Sequence, residues 1–234
     1  MHLSKRLRRV AENVTKVGTA ADIGCDHAFT AIYLVQSGRA ERAIAMDVGK
    51  EPLCRAKEHI LQYQLEEKID IRLSDGVKAL KEGEAEAIVI SGLGGQLMCR
   101  ILEEGLGVVR SAKELILSPQ SDIFPVRKKL HALGFCIVHE EMVFDRGKYY
   151  VILRAVPGVE KYEYPEEYIF GKCLIEKRDA VFYEYLKKQS RQLEAVIENM
   201  EKSSLSEDGK EQLEEQKERQ SQMIQVLHKI EGME

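Results

Sequence analysis

Asp22-Ile23-Gly24-Cys25-Asp26-His27-Ala28 gathers two carboxylates, a thiol and an imidazole around one glycine. Gly24 lets the backbone bend and approach a ligand without a Cβ clash, and Asp22 and Asp26 put negative charge beside that bend. Such a turn suits a cationic amino group. It suits a pyrophosphate poorly, because that group needs several close backbone approaches, as in G-x-G-x-x-G, and is repelled by adjacent carboxylates. Asp47 lies further on and is an acid of the kind that accepts hydrogen bonds from both hydroxyls of a ribose. Asp75-Gly76 offers another acceptor, suited to the exocyclic amine of adenine, although read alone it is more often a plain turn. The acids together describe an adenosyl group carrying an amino acid, which favours S-adenosylmethionine over NAD.

Ser91-Gly92-Leu93-Gly94-Gly95 has a different chemistry. Glycines this dense are a poor choice inside a helix or strand, and fit a backbone passing close to a ligand or admitting a planar base. Ser91, Gly92 and Leu93 are therefore assigned to the acceptor side, where group transfer occurs. Ser118-Pro119-Gln120 is a second loop expected to shape that side. His27 has three readings: it positions the acceptor, orients Asp26, or fills space at a helix start. Asp22, Gly24, Cys25, Asp26, His27, Asp47, Asp75 and Gly76 are assigned to the cofactor. Phe144, Tyr149 and Tyr150 are candidates for an aromatic platform, with at least one expected in the core.

These residues need an edge on which to meet, and the apolar pattern supplies one. Short β-rich runs at 19–23, 42–46, 69–73, 87–90 and 114–117 alternate with helical patterns at 28–37, 52–66, 97–106 and 126–133. That alternation calls for a parallel sheet covered by helices on both faces. Asp22-Ile23-Gly24, Asp47, Asp75 and Ser91 all fall at strand ends, where open α/β sheets bind ligands. After Gly134 the runs 135–144 and 148–156 leave no room for a helix, so they are predicted to form an antiparallel hairpin.

Beyond Pro157-Gly158 the pattern is helical. Ile175, Phe182, Leu186, Leu193, Val196 and Met200 form one apolar stripe on one helix; Leu213, Met223, Leu227 and Ile230 form a weaker second one. Asp208 and Glu211 have the spacing of a cap for the second helix. Two such helices joined by a short polar loop are predicted to fold back as an antiparallel coiled coil. Domains are thus expected at 1–157 and 158–234.

Apolar residues make up 44% of the chain, enough for an ordinary core, and the formal charge of -4 provides no global attraction to nucleic acid. The acidity belongs to the helical tail, so a local basic patch stays open as a partner surface. Lys5, Arg6, Arg8 and Arg9 are either the solvated face of a short amphipathic helix or such a patch. Cysteines at 25, 54, 99, 136 and 173 contain no CxxC pair, which argues against a disulfide framework and a structural zinc; no metal is expected. The N-terminus lacks an apolar signal core, and no run approaches about 18 apolar residues. A cytoplasmic protein without membrane contact is the expectation.

Several of these segments share a pattern with one family. Asp22 through Ala28 is similar to D-[IV]-G-[ST]-D-H-[AG], departing at Cys25. Met46-Asp47 with Glu51-Pro52-Leu53 resembles an acidic strand end followed by a G-P-L-like helix start. Leu73-Ser74-Asp75-Gly76 resembles L-x-D-G, Ser91 through Gly95 resembles A-G-M-G-G, and residues 101–105 repeat I-L-E-E-G. Ser118-Pro119-Gln120 stands where the family has Q-P-[NQ], and Arg146-Gly147-Lys148-Tyr149-Tyr150 resembles D-G-K-Y-Y. On these residues the chain resembles the bacterial tRNA adenine-N1 methyltransferases that modify adenine 22.

The resemblance implies a Rossmann-like class I methyltransferase domain, a helical tail that helps to hold tRNA, S-adenosylmethionine as cofactor and tRNA as substrate. Adenine N1 carries a free lone pair near neutral pH, so the step needs alignment and desolvation and no strong general base. A structured RNA must also present the base by local opening or flipping. Cys25 as a covalent nucleophile is disfavoured, because N1 methylation needs no adduct and only His27 is near enough to serve as its base. The alternatives are methylation of another RNA nucleotide, or a non-catalytic RNA- or protein-binding scaffold that keeps the fold. A monomer is expected, with dimerisation through the helical domain as the other possibility.

Overall fold

The computed structural model describes residues 3–203 and 206–232. The chain divides into two compact units, Met1–Lys161 and Tyr162–Glu234.

The first unit opens with helix α1 (Lys5–Glu12), capped by the Ser4 hydroxyl and buried through Val10 and Ala11. Strands β1 (Val17–Ile23), β2 (Ala40–Asp47) and β3 (Ile69–Leu73) alternate with helices α2 (Phe29–Gln36) and α3 (Lys50–Gln62). Then follow β4 (Ala87–Ser91), α4 (Gly95–Glu104), α5 (Leu106–Ser111), β5 (Glu114–Ser118), α6 (Ile123–Ala132), β6 (Phe135–Asp145) and β7 (Lys148–Pro157). The described residues build one seven-stranded sheet in the order β3-β2-β1-β4-β5-β7-β6. The first five strands of that order run parallel, and β7 pairs antiparallel with both β5 and β6. This is the Rossmann-like α/β methyltransferase fold with its terminal hairpin.

Burial explains the strand sequences. Ile88, Val89 and Ile90 of β4 and Leu115, Ile116 and Leu117 of β5 are wholly inaccessible, as expected of parallel strands covered on both faces. Register then sets the site. Ile23 pairs with Met46 on one side and Ile90 on the other, Asp47 with Leu73, and Ser91 with Ser118. The carboxyl ends of β1, β2, β3 and β4 therefore finish level, and strand order reverses between β1 and β4. That gap is the switch point where ligands bind in open α/β sheets.

Two features of this unit depart from the sequence reading. The helix expected at 52–66 begins at Lys50 and stops at Gln62, because Gln64 takes a left-handed conformation and Leu65 donates back to the Ile60 carbonyl. The turn after the hairpin also stays with the first unit beyond residue 157: Gly158 N–H bonds to Gly134 O, and Ile137 N–H to the Glu160 carboxylate.

The second unit comprises a π-helical turn (Glu167–Gly171), α7 (Lys172–Glu176), α8 (Ala180–Glu201) and α9 (Glu207–Glu231). Tyr183 donates to Glu231 near one end and Lys217 meets Glu201 near the other, so α8 and α9 run antiparallel. The single stripe expected from Ile175 onward is broken. Arg178 is left-handed and Asp179 caps a new helix through the Phe182 amide, which leaves Ile175 on α7. Within the pair, Phe182, Leu186 and Ile197 are buried with Met223, Val226 and Ile230. Ile197 and Val226 thus replace the expected Val196 and Leu227. Ser206, accepting from Gly209 N–H, caps α9 in place of Asp208.

Among the described residues no helix is long and apolar enough to cross a membrane, and no three His, Cys, Asp or Glu groups gather as metal ligands.

Candidate active site

A cavity of about 570 Å³ opens at the carboxyl ends of β1 to β4. Every residue assigned from sequence to the cofactor or acceptor lines it: Asp22, Gly24, Cys25, Asp26, His27, Asp47, Asp75, Gly76, Ser91, Gly92 and Leu93.

At one end the loop after β1 is tied to β2. The Gly24 and Cys25 amides both donate to Met46 O, at 2.8 and 3.0 Å. Asp26 and Ala28 have φ of 44° and 55°, conformations that L-residues avoid at a cost of about 1–2 kcal/mol each. Asp26 is held there by its amide donating to Asp47 Oδ2 at 3.3 Å, and Ala28 by its amide donating to Cys25 O at 2.8 Å. Asp47 Oδ1 accepts from Gly49 N–H at 2.9 Å, so this carboxylate braces two loops and keeps spare lone pairs for a ligand.

The two acids of the loop differ in kind. Asp26 is engaged on both oxygens, by Arg55 Nη2 at 2.7 Å and by His27 Nε2 at 3.4 Å. Asp22 is buried, and its Oδ2 has no partner among the described residues. Burial pushes the Asp22 carboxyl up to about 7; an Ala31 backbone hydrogen bond opposes the rise and Asp47 adds to it. A buried acceptor without a donor, facing a cavity, calls for a ligand to supply one. Asp22 is therefore the acid of this loop left to meet a cation.

His27 belongs to a ring stack: its imidazole lies 5.4 Å from Phe29, which lies 4.5 Å from His59, and His59 Nδ1 sits 3.1 Å from His27 O. Its Nε2 contact with Asp26 is the one that the Asp26-orienting reading requires, and its ring also lines the cavity. Burial raises the Cys25 thiol, with Asp22 and Asp47 adding to the rise, so nothing here activates it as a nucleophile. Asp75 lines the far wall, where Lys78 Nζ takes its Oδ2 at 2.6 Å and holds its carboxyl below the usual range. Val48, Leu97 and Ile101 supply apolar wall that the sequence reading did not assign. The signal for Val48 was its place directly after Asp47.

The acceptor end is built by zipping two loops. Gly92 N–H donates to Ser118 O at 3.0 Å, Gln120 N–H to Leu93 O at 2.9 Å and Gly95 N–H to Ser121 O at 3.1 Å. A Cβ on Gly95 would fall 2.4 Å from Asp122 O, so only glycine permits that approach. Leu93 reaches back toward Gly24, where a Cβ would meet its Cδ2 at 3.5 Å, and so joins the two ends. Ser118 itself is wholly buried and does not line the cavity; Gln120 does.

Arg6 is the residue that sequence reasoning did not single out. From α1 its guanidinium enters the cavity, donating to Ser91 Oγ at 3.0 Å with Cζ 5.0 Å from the Tyr150 ring centroid, while its amide donates to Asp145. Burial lowers its pKa, yet a guanidinium stays charged. Arg8 and Arg9 are instead ion-paired, Arg8 with Glu12 and Arg9 with Glu12 and Glu141. The basic cluster thus splits: one arginine faces the site and two hold the fold. Tyr150 lies beneath Arg6, whereas Phe144 and Tyr149 pair with each other at 4.7 Å.

Comparison with known proteins agrees with this geometry. The family described as "Methyltransferase domain" matches residues 3–153. The tRNA (adenine(22)-N(1))-methyltransferase of Bacillus subtilis is 30% identical over 232 residues, covering 97% of this chain and 98% of the relative. The crystal structure of the B. subtilis m1A22 tRNA methyltransferase superposes with a TM-score of 0.85 at 30% identity, over 97% of this chain and 99% of that one. A Streptococcus pneumoniae protein, described as a candidate tRNA (m1A22) methyltransferase and solved with S-adenosyl-L-methionine, gives a TM-score of 0.86 at 33% identity. That match covers 97% of this chain and 100% of the other.

Proposed function

The chain belongs to the methyltransferase-domain family and, within it, to the tRNA (adenine(22)-N(1))-methyltransferases, and from that premise we propose that it transfers the methyl of S-adenosylmethionine to N1 of adenine 22 in tRNA. The observation that carries this reading is a single cavity with two chemically distinct ends, one lined by acids and one by glycines and an amide.

The acid-lined end fits the cofactor. Asp22 Oδ2, buried and without a partner, matches the methionyl amino group. Asp47 matches the ribose hydroxyls, Val48, Leu97 and Ile101 the adenine faces, and Asp75 its exocyclic amine. When bound, the cofactor supplies a methyl group activated by its sulfonium. The chain's own task is positional. Gly92 keeps the acceptor end open to a flat base, Leu93 closes the space between the two ends, and Arg6 offers a cation to the RNA backbone. No side chain has to remove a proton before transfer, because N1 presents its lone pair at neutral pH. His27 accordingly acts through Asp26.

We further propose that the protein works as a monomer in the cytoplasm. The apolar stripes of α8 and α9 bury one another within one chain, and the five cysteines are unpaired, which suits a reducing compartment. Labelled S-adenosylmethionine incubated with purified chain and an unmodified tRNA transcript should deliver label to the RNA. Label appearing only in protein or small molecules would end this reading.

A further inference from the structure

We propose that Gln120 determines base specificity, its side-chain amide reading the N6/N7 edge of the target adenine while N1 faces the methyl donor. This inference rests on the functional reading above. Once N1 is committed to the transfer, the neighbouring edge still presents an N6–H donor and an N7 acceptor. A side chain that pairs with both must accept and donate at once, as carboxamides do. Among the described residues that line the cavity, Gln120 is the one carboxamide.

Its backbone is held in place. The Gln120 amide N–H is pinned to Leu93 O at 2.9 Å, and the adjoining Gly92 N–H to Ser118 O at 3.0 Å, so the loop continues the β4–β5 pairing past the strand ends. Gln120 Nε2 then stands 3.7 Å from where a Cβ of Gly92 would lie, and Gly92, with φ of 84°, has none. The glycine leaves the face of the amide clear. The Gln120 side chain is exposed, lines the cavity and is hydrogen-bonded to no other side chain or backbone group among the described residues. Its neighbours do not offer the same pair: Arg6 only donates, and the Ser91 hydroxyl, one of whose lone pairs is taken by Arg6, presents a single oxygen in place of a carboxamide's separate donor and acceptor atoms.

The same pairing rejects the other bases. Guanine would set its O6 acceptor against Gln120 Oε1, and its N1 carries a proton. Pyrimidines have no N7.

The test uses full-length protein and tRNA carrying either adenosine or 7-deazaadenosine at position 22, which keeps N1 and N6 and removes the N7 acceptor. Methyl transfer is measured for the wild type, Gln120→Ala and Gln120→Glu, and cofactor affinity by calorimetry. For the wild type, the deaza substitution, which removes one of the two hydrogen bonds of the pair, is expected to lower kcat/KM about tenfold. Gln120→Ala should show that loss already on natural tRNA, no further loss on the deaza template, and unchanged cofactor affinity. Gln120→Glu should recover activity on the deaza template, where N7 no longer repels the carboxylate. Because the Ala variant registers any intrinsic change in N1 reactivity, an equal deaza effect in wild type and Ala variant overturns the inference alone. Absence of transfer to natural tRNA by the wild type overturns the functional reading and this inference with it.

Discussion

Acidification from pH 8 to pH 6 should loosen the binding of S-adenosylhomocysteine, the demethylated product, by about tenfold. The cause is Asp22, whose carboxyl is raised by burial to about 7. A raised folded-state pKa means the proton is held up to about pH 7, so Asp22 favours the empty fold most at low pH, and that contribution is lost as pH rises through 7. An incoming ammonium needs the ionised form. The competent fraction is about 0.9 at pH 8, about 0.5 at pH 7 and about 0.1 at pH 6, and the apparent dissociation constant scales with its inverse. Binding at pH 7 should therefore release about half a proton, visible in calorimetry as a heat that varies with the ionisation enthalpy of the buffer. Asp22→Asn should bind more weakly and lose both the pH slope in this window and the proton release. A wild-type affinity that is flat from pH 6 to pH 8, or an Asn variant with the same slope, would refute the assignment of Asp22 to the amino group.

Asp47→Ala removes the proposed ribose acceptor and frees the Asp26 and Gly49 amides it holds. Cofactor affinity by calorimetry should fall about 10- to 100-fold; unchanged affinity would remove Asp47 from the ribose. Arg6→Ala should raise the KM for tRNA about tenfold and leave cofactor affinity as it was, whereas an effect confined to the cofactor would place Arg6 at the wrong end of the cavity. Gly95→Ala forces a Cβ onto the 121 and 122 carbonyls and should cost about 1–3 kcal/mol in chemical denaturation. A variant as stable as wild type would mean that the loop yields freely.

The site was more legible in the sequence than the details of the helices, for a physical reason. Asp22, Asp47, Asp75 and Ser91 lie at or just past the carboxyl ends of apolar strands, so strand recognition and parallel order were enough to converge them. Asp26 and Asp22 could not be ranked that way: which carboxylate is spent depends on Arg55, brought in from α3. Arg6 was visible only as a member of a basic cluster, because its partners Ser91 and Asp145 lie 85 and 139 residues away. Ser118 attracted attention by its family position, but it is buried, and Gln120 is the residue of that loop that lines the cavity. Among the helices, Leu106–Ser111 is too short for a helical period to declare itself. In the tail, the break at Arg178 rests on one left-handed residue. Ile197 and Val226 displaced Val196 and Leu227 because a stripe on a straight helix drifts from a fixed repeat.

Methylation of adenine 22 is decided by mapping the methyl group on tRNA. Unmodified tRNA is treated with the purified chain and S-adenosylmethionine, then read by primer extension, which halts where N1 of adenine is methylated. One new stop is expected, at adenine 22, lost in a transcript with guanosine at that position. A stop at another nucleotide, or full methyl incorporation with no stop at all, would contradict it.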